Sequence, residues 1–307
     1  GFRPWLFFCS QGRKVVCAIG RIRATKGKQK EMIAKVLLVI AFVAVAVAVG
    51  VYCRRHTGTV DGFILGGRNV GPWMSAFAYG TSYFSAVVFV GYAGQFGFKY
   101  GISATWAGIG NAIIGSLLAW WVLGPRTREM THRLQASTMP EFFGKRYNSR
   151  ALRIAAAAII FVFLIPYTAS VYNGLSRLFG MAFGLPYDVC VIGMAVVTCI
   201  YVVVGGYMAT VMNDFIQGIV MLVGIVAVIA AVLAGNGGFA EAIIQLSQVP
   251  AEGTALEGAF TSMFGPDLFN LLGVVILTSL GTWGLPQMVQ KFYAIKSGPA
   301  VKQGAII

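Results

Sequence analysis

The chain has 307 residues, of which 57% are hydrophobic and only 11% charged, against about 25% charged in a soluble domain. Apolar segments recur along its whole length, so a soluble globular protein is excluded and an all-α polytopic membrane protein is expected. The formal charge of +14 does not mark a nucleic-acid binder, because the Lys and Arg residues sit in the loops between apolar segments, where membrane topology accounts for them.

In chain order, residues 1–31 stand apart. They are rich in Lys and Arg, carry only short apolar patches such as WLFF, and lack the order of a signal peptide. Met32 then begins a clean apolar helix, so 1–31 reads as a non-native or upstream segment, with a genuine basic tail as the alternative. Seven spans are expected: 32–53, one within 69–98, one within 104–123, then about 154–176, 189–204, 215–234 and 268–290. Arg54, Arg55 and Arg68 follow the first span, a run from Arg126 to Arg153 follows the third, and Lys291, Lys296 and Lys302 follow the seventh. These three loops fall on one side, the cytoplasmic one by the positive-inside rule. The opposite loops hold Asp188, Glu241, Glu252, Glu257 and Asp267, and 236–267 reads as an extracellular loop. Trp73, Trp120 and Trp121 suit interfacial belts.

The second span contains AYGTSYFSA, with Gly80, Thr81, Ser82, Tyr83 and Ser85 near mid-depth. Its hydroxyls can bond back to carbonyls one turn earlier. Alternatively, Gly80 marks an unwound segment whose carbonyls face a ligand or cation, since irregular backbone at that depth survives only beside a cavity or protein. The seventh span has the same character: Thr278, Ser279, Gly281, Thr282, Trp283, Gly284 and Pro286. Pro286 removes a backbone donor and the glycines loosen the chain. Two Gly-interrupted spans point to a midplane site built from broken helices. Ser82, Tyr83, Ser85, Thr278, Thr282 and Trp283 are therefore candidates for lining a substrate site. In span four, Pro166 precedes Tyr167, which suits a kink with an inward hydroxyl or plain core packing. Asp214 opens span six, as an N-cap at the positive helix end or as a cation relay, roles that are compatible. His56 and His132 read as solvated loop residues. The five cysteines form no CxxC pair or Cys/His cluster, and no P-loop, HExxH, GxSxG or nucleophile–base arrangement appears. An enzyme is not expected.

Four stretches carry a resemblance. DGFILGGRNVGPW at 61–73, RLQASTMPEFFGKRY at 133–147, YVVVGGYMATVMNDFIQ at 201–217 and GTWGLPQMVQKFYAIKS at 281–297 resemble, in order and spacing, the sodium/solute symporter family of proline, pantothenate, sialic acid and sugar symporters. Tyr207 stands where Leu, Met or Phe is more usual. The resemblance implies the inverted-repeat fold shared with the bacterial leucine transporter. Residues 32–53 would be an additional helix, 69–235 the first five-helix repeat, and 268–307 the start of a second repeat cut short. It also implies a sodium ion held by the backbone carbonyls of Thr81 and Phe84, with hydroxyl partners beyond Ile307. Tyr167 matches a tyrosine lining the substrate site of proline-type members. Those members carry an acidic residue where this chain has Tyr83, which points away from proline.

The function implied is sodium-coupled symport of a small organic solute (amino acid, carboxylate or sugar) into the cell by alternating access, in the plasma or inner membrane. The partners are then sodium, solute and lipid bilayer. The alternative is the membrane input domain of a solute-sensing receptor of the same fold. GPAVKQGAII at the end reads as the start of a further span, so residues 1–307 alone are expected to carry no flux.

Overall fold

The computed structural model of the protein describes residues 32–54, 58–84, 92–250 and 258–307. Among these the chain is helical, and the one β feature is an isolated parallel bridge between Val70 and Ile295. The basic segment 1–31, His56 and Ser85 lie outside the described residues.

The first helix, α1, spans Met32–Cys53. A short α2 (Val60–Leu65) follows, its first turn capped by the Thr59 hydroxyl, which accepts from the Gly62 N–H at 3.0 Å. α3 (Pro72–Tyr83) starts with a proline at its first position and stops at Phe84, which leaves the helical region (φ −87°, ψ 57°). α4 (Ala93–Tyr100) runs to a break at Gly101, and then α5 (Thr105–Gly110) passes through a π-helical stretch, Asn111–Leu118, into α6 (Ala119–Arg133). α7 (Met139–Arg146) leads into the long α8 (Arg150–Phe183) and α9 (Tyr187–Gly235). α10 (Phe239–Ser247) lies inside the segment expected to be a plain extracellular loop. α11 (Leu268–Gly281), a tight turn at 282–284, α12 (Pro286–Ala294) and α13 (Gly298–Ile306) complete the chain.

Among the described residues, four helical runs are long and apolar enough to cross a membrane: Met32–Cys53, Ala93–Arg133, Arg150–Phe183 and Tyr187–Gly235. The pair Leu268–Gly284 and Pro286–Ala294, bent by 51°, makes a fifth if it is one span. The seven expected spans are thus packaged differently. Spans five and six are parts of α9, and the stretch expected to connect them is helical. The only interruption is Gly206, at φ 58° and ψ −154°, a conformation open essentially to glycine. After that break, Tyr207 and Met208 lie beside Gly66, and Gly218 lies beside Phe77 and Thr81. The second half of α9 therefore runs alongside α3 and in the same direction.

Two packed layers hold the broken helices. Tyr79, Tyr83, Trp120, Met288, Phe292, Ile295 and Val301 join α3, α6, α12 and α13. Leu65, Val70, Ala78, Val211, Val289 and Tyr293 join α2, α3, α9 and α12. Trp120 corrects an expectation: it is buried edge-on to Tyr79 (5.5 Å) and Phe292 (5.2 Å) rather than placed in an interfacial belt. Its neighbour Trp121 is exposed, because adjacent helical residues point about 100° apart. By contrast, the most apolar window of α8 has none of its residues buried, and Ile154, Phe161, Val162 and Phe163 are all exposed. A surface of that kind is incompatible with water and suits a bilayer. The protein is a multi-pass membrane protein.

Candidate functional site

α3 and α11 are the helices whose glycine-containing ends the sequence marked as interrupted, and the helical run 93–133 brings them together. Its Asn111 is the junction. The Nδ2 group donates to Thr278 Oγ1 at 3.1 Å and back to the Ala107 carbonyl at 2.7 Å. Oδ1 accepts from the Tyr83 hydroxyl at 2.5 Å and lies 3.5 Å from the Ser279 hydroxyl. Thr278 in turn donates to the Val274 carbonyl at 2.9 Å. Every donor and acceptor of the amide is used, which makes the network rigid rather than costly. Asn111 was missed in the sequence. The signal that could have found it is a lone amide in the otherwise apolar run of span three.

The π-helical stretch explains why this run can serve both neighbours. A wide turn releases carbonyls from the regular ladder. The Gly115 carbonyl accepts from the Tyr79 hydroxyl (3.1 Å) and the Ile114 carbonyl from the Trp283 indole N–H (3.0 Å). A Cβ on Gly115 would sit 1.9 Å from the Tyr83 hydroxyl oxygen, so only glycine admits this approach.

Of the candidates in α3, Gly80 does not break the helix. It stays within α3, and its carbonyl accepts from the Phe84 N–H at 2.8 Å; the interruption comes at Phe84 instead. Its missing Cβ weakens helix propensity without enforcing a stop. The Thr81 hydroxyl bonds back to the Phe77 carbonyl at 2.9 Å. Ser82 is half-buried and Tyr83 buried. Gly80, Thr81 and Phe84 share the wall of a cavity of about 330 Å³ with Ser116, Trp120 and Gly218. The end of a helix presents carbonyls without intrahelical partners and the negative end of the dipole, a setting that favours a cation.

In the other broken helix, Gly281 is the last residue of α11, Thr282 bonds back to the Ser279 carbonyl (3.1 Å), and Gly284 ends the tight turn. Pro286 then opens α12, where its lack of an N–H has no cost. Tyr167 is not part of this junction. It faces a separate cavity of about 540 Å³ between α7, α8 and the turn at Gly284, Leu285 and Pro286.

Asp214 is not an N-cap, because α9 begins its second half at Gly206 and Asp214 lies two turns further on. It faces Lys291 of α12, with Oδ2 3.1 Å from Nζ and both side chains largely buried. Lys291 is also 5.5 Å from the centre of the Tyr207 ring. Lys291 is therefore not a loop charge that sets topology, as the sequence suggested. It is the buried partner that makes a buried carboxylate tolerable.

Comparisons with known proteins identify the family and the fold. The profile described as "SSF: Sodium:solute symporter family" matches residues 63–307. Sodium/proline symporters of Staphylococcus aureus, among them those of strains JH9 and NCTC 8325, are 32% identical over 270 residues, which is 85% of this chain and 50% of theirs. The chain spans about half the length of the curated relatives it matches. A solved structure of a Na+-coupled sialic acid symporter, in a substrate-bound outward-open state, superposes with a TM-score of 0.69 at 21% identity, covering 88% of this chain and 55% of that one. The helical fold expected from the sequence is thus the fold observed.

Proposed function

Because the chain belongs to the sodium:solute symporter family, we propose that the protein carries a small organic solute into the cell together with sodium, by alternating access across the plasma (inner) membrane. The observation that carries the proposal is the meeting of two interrupted helices at Asn111, beside a cavity walled by the end of α3. Sodium would sit at that helix end on the carbonyls of Thr81 and Phe84, and its charge would offset the helix dipole. A membrane potential then contributes about 2.3 kcal/mol per charge per 100 mV to inward movement.

The solute, of amino acid, carboxylate or sugar type, would lie between α3 and α11, near Ser82, Ser85, Thr278 and Thr282. Tyr83 and Trp283 already donate to Asn111 and Ile114. In this arrangement they shape the site rather than donate to a solute. Asp214 would act on the cation only by exchanging Lys291 for it.

The test is solute uptake by the full-length protein in proteoliposomes under an inward sodium gradient, with potassium as control. The expected result is uptake that follows sodium and falls at least about tenfold in Thr81→Trp, which fills the cavity at the helix end and costs the transition at least about 1.4 kcal/mol. Uptake indifferent to sodium would sink the proposal.

A further inference from the structure

The cytoplasmic ends of the two broken helices are tied to each other and to α6. The segment leading into α3 pairs with the segment leaving α12: the Val70 N–H donates to the Ala294 carbonyl (3.2 Å) and the Lys296 N–H to the Val70 carbonyl (3.0 Å). The two carbonyls that follow on the α12 side are taken by one guanidinium. Arg128 Nε donates to the Ile295 carbonyl at 2.6 Å and Nη2 to the Lys296 carbonyl at 3.0 Å. On the α3 side, Arg68 donates to the carbonyls of Thr131 in the last turn of α6 and of Ala136 just beyond it, at 3.3 and 3.0 Å. Val70, Ala294 and Ile295 are all buried.

We propose that Arg128 is a positioning residue that locks the cytoplasmic ends of α3 and α12 into one moving unit. Asn111 joins α3 to α11, the other half of the bent pair, at the other end of the same helical run. Seventeen residues separate the two junctions, about 25 Å of helix, so the run 105–133 braces both broken helices at both ends. A guanidinium suits this role because its fixed fork reaches two successive carbonyls, whereas an ammonium reaches only one point at a time. Without the brace, the bridge at Val70 rests on two backbone hydrogen bonds and the halves can move separately. The inference of a shared motion rests on the proposed transport cycle; the lock itself does not.

Amide hydrogen exchange of the protein in lipid nanodiscs tests the lock without reference to transport. In Arg128→Gln, peptides covering 69–72 and 294–297 should both exchange at least about tenfold faster, as expected when two charge-assisted bonds are lost, while α9 around Gly218 keeps its protection. Arg128→Lys should recover part of the difference. Acceleration on the α12 side alone, a uniform rise everywhere, or no change overturns the lock. Where uptake is measurable, Arg128→Gln should lower kcat and leave the solute KM unchanged; a raised KM with intact kcat overturns the positioning role. Absence of sodium-driven uptake in the unaltered full-length protein would refute the proposed function and leave the exchange result to judge the lock by itself.

Discussion

At the residue scale, Asn111 and the Lys291–Asp214 pair carry the heaviest burdens. Asn111→Ala leaves Tyr83 and Thr278 without their amide partner inside the protein. Tyr83 keeps the Thr278 carbonyl at 3.3 Å and Thr278 keeps the Val274 carbonyl, so the loss is about 0.5–1.5 kcal/mol for each amide bond removed, and the thermal unfolding midpoint in detergent should fall. Tyr83→Phe alone should cost less, and the double variant should cost less than the sum, because both remove the same 2.5 Å bond. Strict additivity in that cycle would show that the bond couples nothing. For the ion pair, Asp214→Asn leaves the 5% exposed Lys291 charged and alone, a loss of about 3–5 kcal/mol. Asp214→Asn with Lys291→Met should recover most of it, and failure to recover would mean that packing rather than charge holds the contact. Neither partner was legible as such in the sequence. Asp214 carried the signal of an acid beside an apolar run, but that signal does not distinguish a cap from a pair. Lys291 lies 77 residues away in sequence and counted among loop charges.

At the scale of elements, the sequence disclosed which helices are interrupted but not how. The break in span seven coincides with its glycines and Pro286, where the chain lacks both a donor and side-chain constraint. The break in α3 falls at Phe84, four residues after Gly80 and next to Tyr83, whose hydroxyl is held by Asn111 of another helix, a contact that no local pattern announces. α7 shows the opposite case, an element set by local chemistry. The Thr138 hydroxyl accepts from the Glu141 N–H, and the Glu141 carboxylate accepts from the Ser137 N–H at 2.9 Å and pairs with Lys145 at 2.7 Å, a relative of the capping box. Burial pushes the Glu141 pKa up, but the Lys145 and Ser137 hydrogen bonds and the nearby Lys145 and Arg153 charges outweigh it, and the net value lies below the ordinary one. A carboxylate with a depressed folded pKa adds stability that is complete above its ordinary value, near 4.3, and is lost as pH falls through the depressed value. The unfolding midpoint should therefore decline on acidification below about pH 4.3, the usual Glu value, more steeply in the unaltered protein than in Glu141→Gln. Equal slopes would remove Glu141 from the account.

At the scale of the whole molecule, the question is how often α9 crosses the membrane. Its 49 residues would extend about 73 Å as one straight rod, more than twice the roughly 30 Å of a hydrocarbon core. Composition cannot settle this, because both halves are apolar and the connection between them looks helical; a single glycine dihedral decides it. The contacts place Gly206 near one end of the bundle. Gly205 approaches Gly50 of α1, and Tyr207 and Met208 lie against Gly66, on the side of Arg54 and Arg68. Gly218 sits deeper, beside Phe77 and Thr81. α9 therefore enters from the far side, turns at Gly206 and returns. Tyr147 before α8 and Glu241 in α10 are both exposed and would be separated by three crossings. Single cysteines at Tyr147 and Glu241, in a background without the five native cysteines, should then react with an impermeant thiol reagent from opposite faces of the membrane. Labelling from the same face would mean two crossings, α9 running through Gly206 without turning. It would also undo the charge asymmetry of the loops, since the basic stretch around Lys145, Arg146, Arg150 and Arg153 and the acidic α10 would share one side. Replacing Gly206 by alanine should have the same discriminating power: strain of about 1–3 kcal/mol if the positive φ is kept, and a change in which face labels Glu241→Cys if the chain escapes that strain by straightening.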